Sequence, residues 1–399
     1  MHMANPNARM YSSCRFFCLI SSAFLLLGNT ALATPLNING FLSSSITKTN
    51  HSTPYLEAKE YTDNINYQSG TVMGLMLSKR LDSRVNFQGQ LTARGSQADK
   101  SLNYKPGFDM PFLDYKLRPS VSIKVGKFIA DNYLISKHLD VGASYLWARP
   151  PVEVYETSYS FLTNINGVEL TYQKKLGMFN LRLQPYIGRM SENLISRTSR
   201  SLAFLDSESI YGAGLSIESQ SVAIHLSSMH ADSVMRESDG TLVIMPDTRL
   251  YSFGAKANFK AWLVQAEVAH VDVGPATIDF TTSMIPEVAA WPALKTDIPS
   301  QTGYYLTVAR ELGSTTPYLT LASTNTELKA NSDPGISKGF MQEQESLTVG
   351  ARYYATNSLT LKFEYHQADI LNDTTGLFIQ LPTKGDDLQL WTISFNILF

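Results

Sequence analysis

Apolar and polar residues alternate one for one through most of the chain. Val121, Ile123 and Val125 share one side, while Ser122, Lys124 and Gly126 share the other. Leu347, Val349, Ala351 and Tyr353 oppose Thr348, Gly350 and Arg352, and Leu359, Leu361 and Phe363 oppose Thr360, Lys362 and Glu364. A period of two belongs to a β-strand with one apolar face. None of these segments is apolar on both faces, as the central strands of a parallel α/β sheet are. Sixteen strands are predicted, at 37–48, 69–80, 83–94, 110–118, 121–129, 164–175, 179–190, 209–219, 221–232, 248–259, 261–273, 301–312, 315–326, 344–355, 358–370 and 386–399.

Soluble sandwiches alternate too, so the connections decide. Very short turns, such as Leu81-Asp82, Pro119-Ser120 and Gly313-Ser314, take turns with long links at 51–68, 95–109, 130–162, 191–208, 233–247, 274–300, 327–343 and 371–385. Transmembrane barrels keep this rhythm, with short turns on the periplasmic side and long loops outside. Greek-key sandwiches have no reason to. A strand of about 12 residues at ~3.3 Å each, tilted ~45°, rises about 28 Å, enough for an apolar band of ~25 Å. Closure also satisfies every ladder group, which an open sheet in hydrocarbon cannot do. The expected fold is therefore an all-β, antiparallel transmembrane barrel of sixteen strands occupying 34–399 as one domain.

Composition sharpens this. The chain has 399 residues, 33 Lys+Arg against 35 Asp+Glu, 17% charged and 11% aromatic residues. Near-neutral charge without a basic block argues against nucleic-acid binding. The longest apolar run, 16–27, is too short for a membrane-spanning helix. It follows Arg9 and Arg15 and precedes Ala31-Leu32-Ala33, so 1–33 reads as a cleaved Sec-type signal peptide, with Met10 an alternative start. Both cysteines, Cys14 and Cys18, fall in that segment, so the exported chain carries no disulfide.

Trp391, Ile393, Phe395, Ile397 and Phe399 occupy alternate positions to the end of the sequence. This resembles the signal that the barrel-assembly machinery reads in outer-membrane proteins. With Asn39-Gly40-Phe41-Leu42, the stretch Val121-Ser122-Ile123-Lys124-Val125-Gly126-Lys127-Phe128, then Asp140-Val141-Gly142, and the run from Trp147 to Tyr155, the chain resembles the Gram-negative porin superfamily over its mature length. The resemblance implies an outer-membrane homotrimer of water-filled channels, surrounded by lipid and lipopolysaccharide. In each, the third external loop folds into the lumen.

That loop, 130–162, is also the longest connection. Such loops are usually functional or disordered, and Tyr133, Tyr145, Trp147, Tyr155, Tyr159 and Phe161 are too many aromatics for a solvated one. Packing inside the barrel would bury them; a cover over the mouth, a trimer contact or a sugar slide are the other readings. Pores select by bore and by charge at the narrow point. The candidate constriction sets Asp140, Glu153 and Glu156 on the loop against Lys124, Arg352 and Lys362 on the wall. Lateral ion pairs along the wall are the competing role for each. Inward bases and acids are similar in number, so ion preference stays open.

Enzyme signatures are weak. Gly212 and Gly214 lie on a strand with Ile217 where a dinucleotide fingerprint needs glycine. His225 and His230 point to opposite faces, and no outward serine partners His225 or His366. The expected function is a porin passing small hydrophilic solutes without energy coupling or cofactor. The alternatives are a specific porin for phosphate-like anions or sugars, a phospholipase-like barrel, and an adhesin.

Overall fold

The computed structural model describes residues 35–57, 59–96, 103–156, 164–196, 201–332, 341–382 and 387–399. The expected signal peptide lies outside them, as do Tyr159 and Phe161. Nineteen strand segments form one hydrogen-bonded sheet. Three walls of that sheet are interrupted strands, so the barrel has sixteen staves. They are β1 (Asn37–Thr49), β2 (Val72–Arg80), β3 (Val85–Arg94), β4 (Pro106–Phe108 continued by Phe112–Arg118), β5 (Val121–Ile129), β6 (Asn164–Leu176), β7 (Phe179–Ile195) and β8 (Leu202–Glu218). The others are β9 (Val222–Arg236), β10 (Leu242–Phe259), β11 (Trp262–Asp272 and Pro275–Asp279), β12 (Leu294–Asp297 and Ser300–Arg310), β13 (Thr315–Glu327), β14 (Gln344–Tyr354), β15 (Leu359–Ile370) and β16 (Asp387–Leu398). Two of the interruptions contain Pro111 and Pro299, which have no N–H to offer a ladder.

β16 closes the sheet on β1, with Phe41 opposite Leu398 and Thr49 opposite Leu390. Phe399 extends the seam: the Gly40 N–H donates to its carbonyl at 2.6 Å and its own N–H donates to the Gly40 carbonyl at 3.0 Å. Its ring lies where a side chain at residue 40 would stand, so any larger residue there would have to displace the ring. Along β16, Trp391, Ile393, Phe395 and Ile397 face outward, as expected, and Thr392, Ser394 and Asn396 are buried inward. The same parity runs around the wall, so that Leu75, Val125, Val264, Leu319 and Phe363 form an outer apolar belt. Tyr211, Tyr251 and Tyr304 border it at one end, and Phe259, Trp262 and Tyr353 at the other. Aromatic residues favour both membrane–water interfaces.

Short turns gather at one end, and two of them carry Gly177 (φ 61°) and Gly313 (φ 64°) in the left-handed region that glycine adopts without penalty. The staves differ from expectation mainly at the opposite end. β7 to β12 continue well past the apolar belt, so that 191–208 and 233–247 are largely β-ribbon rather than loop, and 274–300 carries short ribbon segments at both ends. Outside the membrane a ladder needs no apolar face, and the alternation that marks a strand in the sequence fades there.

A second small core sits at the mouth. Tyr55 and Leu56 of the first loop pack with Leu377 and Phe378 of the last, and Val152 of the third loop joins them. The main buried cluster lies inside the barrel, where the third loop meets the wall.

Candidate pore constriction

Residues 130–156 run inside the barrel. An irregular backbone there must find partners for its amides and carbonyls, and the inward wall residues supply them. The Asn132 carbonyl accepts from the Ser227 and Ser252 hydroxyls, both at 2.7 Å. The Leu134 N–H donates to Glu267 at 2.8 Å, and the Gly142 N–H to Ser43 at 2.9 Å. Glu364 takes the Ala148 N–H at 3.0 Å and the Tyr318 hydroxyl at 2.8 Å. Room for this close approach comes from missing side chains. A Cβ on Gly214, Gly254 or Gly303 would press on the loop at Asp131, Leu134 or Glu153 respectively. Gly214 is one of the two inward glycines that carry no dinucleotide site.

Aromatic packing seats the loop. Trp147 is 1% exposed, and its indole N–H donates to both Thr307 and Thr320 at 3.0 Å. Its ring meets Tyr305 edge-on, with centroids 5.4 Å apart. Tyr155 donates to Glu267 and lies against Tyr133. Burying each such ring contributes on the order of 2 kcal/mol. The helical turn Val152–Tyr155 follows Pro150-Pro151, and all four of its residues are buried.

The six expected constriction residues fall into different roles. Lys362 is 0% exposed: its Nζ donates to the carbonyls of Gly142 at 2.6 Å, Tyr145 at 2.8 Å and Trp147 at 2.5 Å. It lies beneath the loop and holds it, instead of lining the gap. Glu153 is 1% exposed and accepts from Gln344 at 2.8 Å. Burial pushes its carboxyl upward, against the opposing pull of its hydrogen bonds and of Arg149. Lys124 pairs laterally with Glu169, directly across the sheet, at 2.6 Å. Arg352 sits near the short-turn end of β14, stacked on Tyr354, away from the loop. Of the six, only Asp140 and Glu156 border open space beside the loop.

These two line a cavity of about 260 Å³ between the loop and β1, β2, β3 and β16. Facing them are Lys59, Tyr61, Arg94 and Arg149, with Ser43, Ser45, Thr392 and Ser394 behind. Arg94 bridges Asp140 at 2.6 Å and Asp109 at 2.7 Å, and Arg149 contacts Glu364 at 3.4 Å. A smaller cavity of about 180 Å³ shares Arg94, Leu139, Asp140 and Tyr155 with the first, so that the two adjoin along the Arg94–Asp140 pair. Arg94 was legible as an inward residue at the outer end of β3. Lys59 was not, because its first loop carries no periodicity to show that it turns inward. On the other side of the loop, Lys137 pairs with Asp131 at 3.1 Å, and burial lowers the Lys137 ammonium despite that carboxylate.

His225 and His366 share Nδ1 with hydroxyls directly opposite, Ser216 at 3.1 Å and Thr348 at 2.8 Å. Their Nε2 atoms have no hydrogen-bond partner among the described residues. A hydrolytic relay would require a carboxylate on the second nitrogen. Both pairs face inward, unlike the lipid-facing pair a phospholipase barrel needs.

No protein-family model matches the chain, nor does any curated protein. Solved structures do. OmpF of Salmonella typhi, in complex with daunomycin, is similar over 92% of this chain and 98% of that one, at 12% identity and a TM-score of 0.58. The anion-selective porin from Comamonas acidovorans matches over 92% and 100%, at 10% identity and 0.56. The outer-membrane channel DcaP of Acinetobacter baumannii matches over 93% and 99%, at 9% identity and 0.55. At such identities the likeness is one of fold. Closure at sixteen strands and these likenesses together establish that the chain has the fold of the Gram-negative outer-membrane porins, and its outer apolar belt is that of a wall facing lipid.

Proposed function

We propose that the chain forms a water-filled channel through which small hydrophilic solutes and ions diffuse passively across the outer membrane. The observation that carries this reading is the loop 130–156 lodged inside the barrel with a polar, charge-lined cavity beside it. A loop that merely capped the mouth would not need the wall partners Glu267, Lys362 and Glu364 deep in the lumen. Asp140 and Glu156 on the loop side, facing Lys59, Arg94 and Arg149, would set a transverse field across the gap. With Arg94 already bridged to Asp140 and Arg149 to Glu364, the field across the gap would come chiefly from Glu156 on the loop facing Lys59, and such a field orders water and disfavours apolar solutes.

In the same reading the mature chain is 34–399, exported by the signal peptide and inserted by the barrel-assembly machinery through the Trp391 to Phe399 strand. It works as a homotrimer among lipid and lipopolysaccharide. Liposome swelling tests the channel itself. Vesicles carrying the refolded protein should swell in small sugars, and swelling should fall steeply as the sugar grows. Vesicles that stay impermeable to the smallest sugar, although the barrel is folded, would overturn the reading.

A further inference from the structure

We infer that the channel prefers small anions, and that a basic vestibule beneath the loop produces the preference; this rests on the channel reading above. Most charges around the loop sit in pairs, with a small acidic remainder. Arg94 is held by Asp109 and Asp140, Arg149 by Glu364, and Lys137 by Asp131. Toward the short-turn end the balance changes. There Lys124 is matched by Glu169, and Arg182 lies 3.7 Å from Glu218. Arg84, Lys116, Lys175, Lys256 and Arg352 also stand at inward positions by strand parity, and none makes an ion pair among the described residues. Among the described residues, only Asp114 and Glu311 are inward acids without an ion pair at that level.

The excess is therefore positive, and it lines the vestibule that every permeating ion crosses. Fixed charge acts over the Debye length, about 10 Å at 0.1 M salt. In a tube of barrel width that reach covers most of the cross-section. Counter-ions accumulate in such a cleft and co-ions are depleted. The permeant class that fits is a small, well-hydrated anion: chloride, phosphate or a short carboxylate.

Planar-bilayer recording under a potassium chloride gradient tests it, because the two ions have nearly equal mobility in water. The expected reversal potential carries the sign of chloride, with chloride favoured about two- to five-fold near 0.1 M. The ratio should fall toward one in 1 M salt, where the Debye length is about 3 Å. The triple variant Arg84→Gln, Lys116→Gln, Lys175→Gln should lose most of the preference. Lys79→Gln with Lys174→Gln, on the same rim but at outward positions opposite Phe87 and Leu181, should keep it. A potassium-signed or zero potential from conducting channels would overturn the inference and leave the channel intact. So would a triple variant with unchanged selectivity. A folded barrel that passes no current would overturn the channel reading itself, and the inference with it.

Discussion

Lys362 should behave as the latch of the constriction loop. It is a fully buried cation with no salt-bridge partner among the described residues, surrounded by the carbonyls of Gly142, Tyr145 and Trp147 at 2.5 to 2.8 Å, and with Tyr145 beneath it at 4.3 Å. Lys362→Met keeps most of the apolar stem and removes the three donors. Hydrogen bonds to charged groups contribute roughly 1.5–3 kcal/mol each, and a buried carbonyl left unmatched costs about 1–3 kcal/mol. Part of this is offset, because the lysine no longer has to be desolvated. A net loss of about 2–4 kcal/mol is a reasonable figure, and at ~1.4 kcal/mol per decade it shifts the seated-to-unseated ratio by roughly 30- to 700-fold. The barrel ladder is untouched, so the loss should appear in the loop and not in overall folding. Single-channel recording should show frequent flickering between current levels, and limited proteolysis should cut within 130–156, while the heat-resistant gel mobility of the barrel stays near wild type. Quiet channels and an uncut loop in a folded Lys362→Met protein would refute the latch.

Burial raises the Glu153 carboxyl, so its folded form favours the proton. Its contribution to seating the loop is then present at acid pH and lost as pH rises through the raised value. Glu153→Gln should abolish this dependence: loop noise rises as pH climbs above the ordinary carboxylate range in the wild type and stays flat in the variant. Gly303→Val should push the loop off β12, because a Cβ there collides with the Glu153 carbonyl; larger conductance and faster sugar-induced swelling are expected, and an unchanged bore would contradict the close approach. Phe399→Ala should lower the yield of folded barrel in the outer membrane several-fold, measured by heat-modifiable gel mobility. Normal assembly would remove the role given to the final strand.

The staves and their faces were legible from residues alone because a strand has a fixed period and one lipid-facing side. Trp391, Ile393, Phe395 and Ile397 could only face outward once their partners Thr392, Ser394 and Asn396 were polar. The third loop stood out through its length and aromatic content, for the same reason: Trp147 and Tyr155 need burial wherever they lie. Parity likewise placed Lys124, Arg352 and Lys362 inside. It could not say what each would meet there. Glu169 neutralises Lys124 because of the register between β5 and β6, and Lys362 disappears under a backbone that arrives from more than two hundred residues away. Lys59 joins the gap through the path of the first loop. Local alternation determined the barrel and its two faces, since each strand solves its own solvation problem. Which charges stay free inside was decided by tertiary structure, because an irregular loop has no period and takes its course from whichever wall groups can satisfy its amides and carbonyls.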